Sequence, residues 1–276
     1  MAKQRAFLKW AGGKYSTMEH IHKVLPKGDL LIEPFVGAGN VFLNTNYKSY
    51  VLMDANRDLS DLYTILTMYG QTFIDECKAM FTPENNTEKR YYEIRTEFNT
   101  SNDPRVRARI FVYLNRHGFN GLCRYNRSGW FNVAYGKYKK PYFPEEEMQA
   151  FHKKAVETKA VFLWNKFQDC FNSIHAFTHL GRIVVYCDPP YVPLSPTANF
   201  TSYCVDGFRH EDQEMLADYA RNASVPVVIS NHDTDVSRQL YHDADITSFE
   251  IQRSISCVGE TRTKAKELLA VFNKDK

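Results

Sequence analysis

Two stretches of the chain carry residues that could do chemistry together. The first is Asp188-Pro189-Pro190-Tyr191, an acid, two prolines and a phenol ring following the apolar run Ile183 to Cys187. Proline cannot donate to a ladder, so a buried parallel strand over that run must stop at Asp188. Ligands of open α/β sheets sit outside the carboxyl ends of the strands. Asp188 and Tyr191 are thereby delivered to the edge of a cleft, with backbone carbonyls held still by two fixed φ angles. The second stretch is Leu30 to Gly39, where an apolar strand runs into Gly37-Ala38-Gly39 and then into the helix-like Asn40-Val41-Phe42-Leu43. Gly37 and Gly39 let backbone approach a ligand closely at a helix start. The next strand, Tyr50 to Met53, ends in Asp54, 15 residues beyond Gly39. A carboxylate at that strand tip can accept hydrogen bonds from ribose hydroxyls. The third glycine of the dinucleotide fingerprint is missing, which disfavours a nicotinamide cofactor. A nucleoside-bearing ligand without pyrophosphate fits better, and S-adenosylmethionine is the common one.

The elements that must position these residues follow from apolar spacing. Ser16 and Glu19 have the spacing of a capping box for a helix over 17–25, before Pro26. Apolar residues at helical spacing predict helices over 58–69, 72–81, 88–98 and 103–115, the last opening with Pro104. Four helices in succession interrupt the alternation of strand and helix and read as an inserted, mostly helical domain. Its end, 116–135, is rich in Gly, Asn and Arg, and Ser128-Gly129 between Tyr125-Asn126 and Trp130-Phe131 reads as a hairpin turn. Alternation then resumes with helix 145–157, strand 160–164, helix 169–177 and strand 183–187. Helix 210–221, strand 225–230, helix 236–241 and a closing β pair around Cys257-Val258-Gly259 complete it.

Composition limits the partners. Net charge is only +3, but from Asn86 to Lys140 there are 12 Lys plus Arg against 4 Asp plus Glu. Residues 91–143 also hold 13 Phe, Tyr and Trp, and a positive surface interleaved with rings suits phosphate contact and base stacking. Arginine and asparagine can read guanine and adenine edges bidentately, which makes the 116–135 loop the natural recognition element. Gly12-Gly13-Lys14 is not a phosphate loop, since Tyr15 follows Lys14 and no strand precedes it. His175 and His179 lie four apart without the pattern or third ligand of a metal site. The six cysteines are scattered without a Cys-x-x-Cys pair, and no signal-like segment follows Met1, so reduced thiols in a cytoplasmic protein are expected. No run approaches the roughly 18 apolar residues that a membrane helix needs.

In order along the chain, Lys9-Trp10-Ala11-Gly12-Gly13-Lys14, Glu33-Pro34-Phe35-Val36-Gly37-Ala38-Gly39 and Asp188-Pro189-Pro190-Tyr191 resemble the α-group DNA adenine-N6 methyltransferases. The likeness is closest to the Dam type, which methylates the adenine of GATC. It extends to Phe200-Thr201, to Ile229-Ser230-Asn231-His232-Asp233 and to Arg253-Ser254-Ile255-Ser256. It implies an α/β, Rossmann-like, S-adenosylmethionine-dependent catalytic domain over 1–56 and 145–276, with a target-recognition domain and its hairpin loop over 57–144. Asp188, Pro189, Pro190 and Tyr191 are then the catalytic set. Trp10, Lys14, Phe35, Gly37, Gly39, Asp54 and Asp188 line the cofactor pocket, with Asp54 on the ribose. Lys9 and Arg124 read guanines, Phe119 and Asn120 enter the space left by a flipped base, and Arg95, Arg116, Asn126, Asn132 and Lys139 are candidates for phosphates. Phe119 stands where the family commonly has Tyr, and Ala134 where Pro is common. The first change keeps an aromatic wedge; the second bears on recognition of the outer base pairs.

The implied reaction explains the residue types. Adenine N6 is a poor nucleophile because its lone pair is delocalised into the ring, and the base must leave the duplex, at a cost of a few kcal/mol. Stacking on Tyr191, about 1 to 3 kcal/mol, offsets much of that. Asp188 and the Pro189 carbonyl would accept the two N6 hydrogens and free the lone pair, and positioning with electrostatics does the rest. The expected partner is double-stranded DNA, with no metal and no membrane, and the chain is expected to be monomeric and nucleoid-associated in the cytoplasm. RNA adenine or protein glutamine methylation could share the catalytic loop, but glutamine methylation usually has Asn in its first position. A DNA-binding regulator with a vestigial cofactor fold would be expected to have lost Asp188, Tyr191 or the Gly37-Gly39 turn.

Overall fold

The apolar strand Leu30–Glu33 (β1) is buried along its whole length and lies between two parallel neighbours. In the computed structural model, which describes residues 3–193, 207–252 and 264–276, those neighbours are Ser49–Asp54 (β2) and Ile183–Cys187 (β4). Val161–Trp164 (β3) pairs outside β2, and Val227–His232 (β5) pairs outside β4, both parallel. The far edge is antiparallel, with Lys264–Phe272 (β7) between β5 and Asp245–Gln252 (β6). From β1 the chain builds outward through β2 to β3, then returns to lay β4 on the other side of β1. That reversal of strand order opens a crevice at the carboxyl ends of β1 and β4. Glu33-Pro34 and Asp188-Pro189 both lie there.

The helices are Met18–Val24 (α1), Asn40–Asn44 (α2), Arg57–Lys78 (α3), Glu88–Thr100 (α4), Pro104–His117 (α5), Glu145–Glu157 (α6), Phe167–Ser173 (α7), His210–Asn222 (α8) and Asp235–Leu240 (α9), with α5 packed on α3 and on α4. Thr87 and Asp103 cap α4 and α5 through their side chains, with Pro104 in the first turn of α5 as expected. Rings from α3 and α6 meet the sheet in one apolar cluster, where Tyr63 stacks on Phe151 at 4.6 Å and Phe151 on Phe162 at 5.7 Å. Phe98, Phe111 and Tyr113 of α4 and α5 belong to the same cluster.

Several expectations change, though the boundary expected between helices 58–69 and 72–81 stands: α3 is two helical stretches that meet at a kink at Gly70, where φ is 50° and ψ −125°, and only the end moves, to Lys78. A Cβ there would stand 2.7 Å from His152 Nε2, so glycine fits the bend for both reasons. Ser16 and Glu19 do not form a capping box: the cap is Thr17, whose backbone is already helical, and Glu19 pairs with Lys3 at 3.1 Å. The helix expected over 169–177 is α7 followed by a 3-10 segment, Ile174–Leu180, which ends at Gly181. The pair expected around Cys257-Val258-Gly259 lies outside the described residues, as do Phe200-Thr201 and Arg253-Ser254-Ile255-Ser256; β6 and β7 flank the former and pair from Gln252↔Lys264.

Candidate active site

Asp188 leaves the end of β4 and meets Lys14, whose Nζ stands 2.8 Å from Asp188 Oδ1. The same ammonium donates to the Gly12 carbonyl at 2.7 Å and lies 4.6 Å from the centroid of the Tyr191 ring. Burial pushes the Asp188 carboxyl up, and the Lys14 charge pulls it back. Breaking such an enclosed pair by removing one partner leaves an uncompensated charge.

The loop after Asp188 is fixed from two neighbouring elements. Gln213 on α8 donates to the Pro190 carbonyl at 2.7 Å. Asn231, fully buried at the end of β5, accepts from Val192 N at 2.9 Å and donates to Gln213 Oε1 and to Tyr241 Oη. The Tyr191 ring packs edge-on against His232 at 4.7 Å, and its hydroxyl donates to Glu267 at 3.2 Å. Burial, with Asp188 and Glu267 nearby, holds that phenol well above its ordinary range.

Across the crevice, Gly37 and Gly39 have φ of 48° and 73°, the left-handed region that favours glycine. Gly37 N donates to Asp54 Oδ2 at 3.0 Å, and Asn56 N donates to Oδ1 at 2.9 Å. The Gly37 carbonyl accepts from Tyr63 Oη at 2.6 Å, and a Cβ at Gly37 would stand 3.1 Å from Trp10 Nε1. Burial raises Asp54 to about 6 against the pull of those two amides. Phe35 stacks on Phe167 at 5.6 Å and meets Phe208 edge-on at 5.7 Å, giving the Asp54 end of the crevice an aromatic wall. Phe167, Phe208 and the half-exposed Trp164 were not singled out from the sequence, because each sits outside any motif and reaches the site only through the fold.

Glu33 was also missed as an individual residue. It is 2% exposed, its Oε1 has no hydrogen-bond partner among the described residues, and burial together with Asp188 holds its carboxyl well above the usual range. An acid directly before a proline and a glycine turn is a visible signal, but its burial beside a second acid is not.

These parts share one cleft of about 1800 Å³. Of the residues expected on DNA, Lys9, Phe119 and Asn120 line it as well, while Arg95, Arg116, Arg124, Asn126, Asn132 and Lys139 lie outside its walls. Phe119 is 51% exposed, and Asn120, with φ of 54°, is held by its amide donating to Tyr138 Oη at 3.0 Å. Lys9 Nζ lies 4.3 Å from the Tyr138 ring centroid, and burial with Arg116 nearby lowers its pKa. Arg124 donates from Nε to Asn132 Oδ1 at 2.8 Å, on an exposed face. Lys139 is exposed.

Four of the phosphate candidates are engaged within the protein, Asn132 by accepting from Arg124. Arg116 is buried and donates to the Phe7 carbonyl, Arg95 donates to the Val133 carbonyl at 2.9 Å, and the Asn126 side chain accepts from Ser128 N and Trp130 N, both at 3.0 Å. The aromatic density of the segment also has a different cause from the one expected. Tyr91, Phe98, Phe111, Tyr113 and Phe131 are core residues, because a segment of this length must bury rings of its own. Phe119, Trp130 and Tyr142 are the large rings there that remain half exposed.

Among the described residues no group of three or more His, Cys, Asp or Glu could hold a metal, and no helix is long and apolar enough to cross a membrane. His179 donates from Nδ1 to the Ala176 carbonyl at 2.9 Å in the 3-10 segment.

A model of the D12 class of N6 adenine-specific DNA methyltransferases matches residues 10–255. Over 276 residues the chain is 50% identical to a DNA adenine methylase of Vibrio cholerae serotype O1, covering 99% of this chain and 97% of the relative. It is 49% identical over 275 residues to a DNA adenine methylase of Escherichia coli strain K12, covering 99% and 96%. A DNA adenine methylase of Serratia marcescens is 49% identical over 276 residues, covering 99% of this chain and all of the relative, 100%.

Proposed function

The chain belongs to the D12 class of N6 adenine-specific DNA methyltransferases, and from that premise we propose that it methylates a flipped-out adenine of GATC in double-stranded DNA with S-adenosylmethionine as donor. The observation that carries the reading is the joining, in one cleft, of the Asp188–Tyr191 loop to the Gly37 turn with Asp54. S-adenosylmethionine would be held by Trp10, Lys14, Phe35, Gly37, Gly39, Asp54 and Asp188, and supplies the methyl group. The residues fit such a ligand: Asp54 offers a carboxylate at the strand tip, Gly37 brings backbone close, and Phe35 with Phe167 and Phe208 offers a flat apolar wall.

Asp188 accepts one N6 hydrogen and the Pro189 carbonyl the other, while the Tyr191 ring receives the base. Pro190 contributes its carbonyl as the anchor for Gln213, which keeps the peptide before Tyr191 in place. Lys14 stands with its ammonium against both Asp188 and the face of Tyr191, so it yields that position when the amine of the base arrives. Residues 57–144 act as the target-recognition domain. There Lys9, which packs against it on Tyr138, and Arg124 take guanine edges, Phe119 and Asn120 fill the space left by the base, and Asn132, Lys139, Arg95, Arg116 and Asn126 support the backbone path. The chain acts as a monomer in the cytoplasm, on nucleoid DNA.

Incubation of plasmid with protein and S-adenosylmethionine, followed by cleavage with endonucleases that distinguish methylated from unmethylated GATC, should give full protection from the methylation-sensitive enzyme. Asp188→Ala should abolish that protection while DNA and cofactor binding stay measurable. Protection by the variant at the wild-type rate would overturn the mechanism.

A further inference from the structure

A single exposed ring needs no explanation, but the hairpin gives Trp130 a particular setting. Tyr125 pairs with Phe131, and both side chains turn inward, Phe131 into the core and Tyr125 Oη onto Asp58 at 2.7 Å. Side chains alternate across a strand. Arg124, Asn126, Trp130 and Asn132 therefore share the outward face, with Asn126 N donating to the Trp130 carbonyl at 2.9 Å and Asn132 N to the Arg124 carbonyl at 3.0 Å. Asn126 fixes the backbone beneath the ring by accepting from Trp130 N, and Asn132 holds the Arg124 guanidinium. The result is a ring 50% exposed on a locked turn, on the same outward face as Arg124 and with exposed Arg127 in the turn itself. Such a surface is flat and apolar between cations, which matches a duplex edge that is apolar between phosphates.

Building on the reading that this hairpin contacts DNA, we propose that Trp130 is a DNA-contacting residue that packs its indole on an apolar edge of the duplex beside the base pair Arg124 reads. Two duplex surfaces have that chemistry, the thymine methyl in the major groove and the deoxyribose C–H face. A contact of either kind adds affinity without neutralising a phosphate, so it leaves the salt dependence of binding unchanged.

The test uses the full chain with saturating cofactor and a GATC duplex, and measures affinity by fluorescence anisotropy over a range of salt. Trp130→Ala should weaken binding about tenfold at unchanged slope of log K against log salt, with Trp130→Phe recovering most of the loss. Replacing thymines by uracil within and beside the site separates the two surfaces. A loss seen in the wild type and absent in Trp130→Ala identifies the methyl, and no loss in either identifies the sugar. Arg124→Ala is measured in parallel. If Trp130→Ala is neutral while Arg124→Ala is defective, the Trp130 contact is wrong and the hairpin reading stands. If both are neutral, the hairpin reading falls and takes the Trp130 contact with it. A Trp130→Ala loss accompanied by a shallower salt slope would also overturn the proposal, because the defect would then lie in phosphate contacts.

Discussion

In the proposed reaction Asp188 accepts a hydrogen bond in a place that resists charge. Its burial raises the carboxyl, and Lys14 at 2.8 Å is the local counterweight. Asp54 has no such cation among the causes of its shift: burial alone takes it to about 6, with only the amides of Asn56 and Gly37 opposing. The folded state thus binds the Asp54 proton more tightly than an unfolded chain, whose aspartate titrates near ~3.9. The sign of two effects follows. Asp54 weakens folding at neutral pH, and that penalty fades as pH falls through about 6. Cofactor binding in the proposed site runs the other way, since a carboxylate accepts from ribose hydroxyls more strongly than the neutral acid does. Calorimetric titration of S-adenosylmethionine between pH 8 and pH 5 should show affinity level above about 6 and falling below it, by up to roughly tenfold per pH unit. In Asp54→Asn the affinity should be low and flat across that range. A wild-type affinity that does not change toward pH 5 would remove Asp54 from the ribose.

At the scale of elements, the loop after β4 keeps its shape because α8 and β5 reach it. Removing the Gln213 amide would leave the Pro190 carbonyl without that donor and Asn231 Nδ2 without one of its two acceptors. An unsatisfied buried polar group costs about 1 to 3 kcal/mol. Gln213→Ala should therefore lower Tm and reduce kcat while leaving the Kd for DNA close to wild type. A variant that loses stability but keeps full kcat would show that the loop holds its geometry without α8. Gln213 also marks the limit of what could be read from the chain. β1, β4 and the break at Asp188-Pro189 were legible because apolar runs and proline act locally. The Gly37 turn and Asp54 were legible because their spacing is a property of one βαβ unit. Gln213, by contrast, reads as a polar residue on an amphipathic helix, and its burial exists only once α8 docks on the sheet. The same holds for Phe167 and Phe208, which become one wall with Phe35 through packing across separate elements. Gly70 was legible for a local reason: it reads as a boundary between two helices, and the backbone leaves helical φ/ψ there.

Over the whole molecule, charge is arranged less simply than composition implies. The segment from Asn86 to Lys140 holds 12 basic residues, and each one placed on a phosphate would steepen the salt dependence of binding. Many have other partners. Arg105 pairs with Glu76 at 2.5 Å, Arg107 with Asp58 at 2.6 Å and Arg90 with Glu93 at 3.1 Å, while Arg95 and Arg116 donate to backbone carbonyls. The first two pairs fasten α5 to α3, while Arg90 and Glu93 pair within α4. The cations left on the surface of this segment include Arg124, Arg127, Lys137, Lys139 and Lys140, all exposed except where Arg124 meets Asn132. Since the slope of log K against log salt is about −0.9 per phosphate neutralised, exposed cations of this number set it at about −4 to −6. Anisotropy titrations of a GATC duplex over a threefold range of salt would measure it directly. A slope near −10 would mean that the paired arginines let go of their acids on binding, so that α4 and α5 rearrange around DNA. A slope within the expected range would mean that the duplex meets a surface already formed, in which the internal ion pairs hold the scaffold and the exposed cations make the contacts.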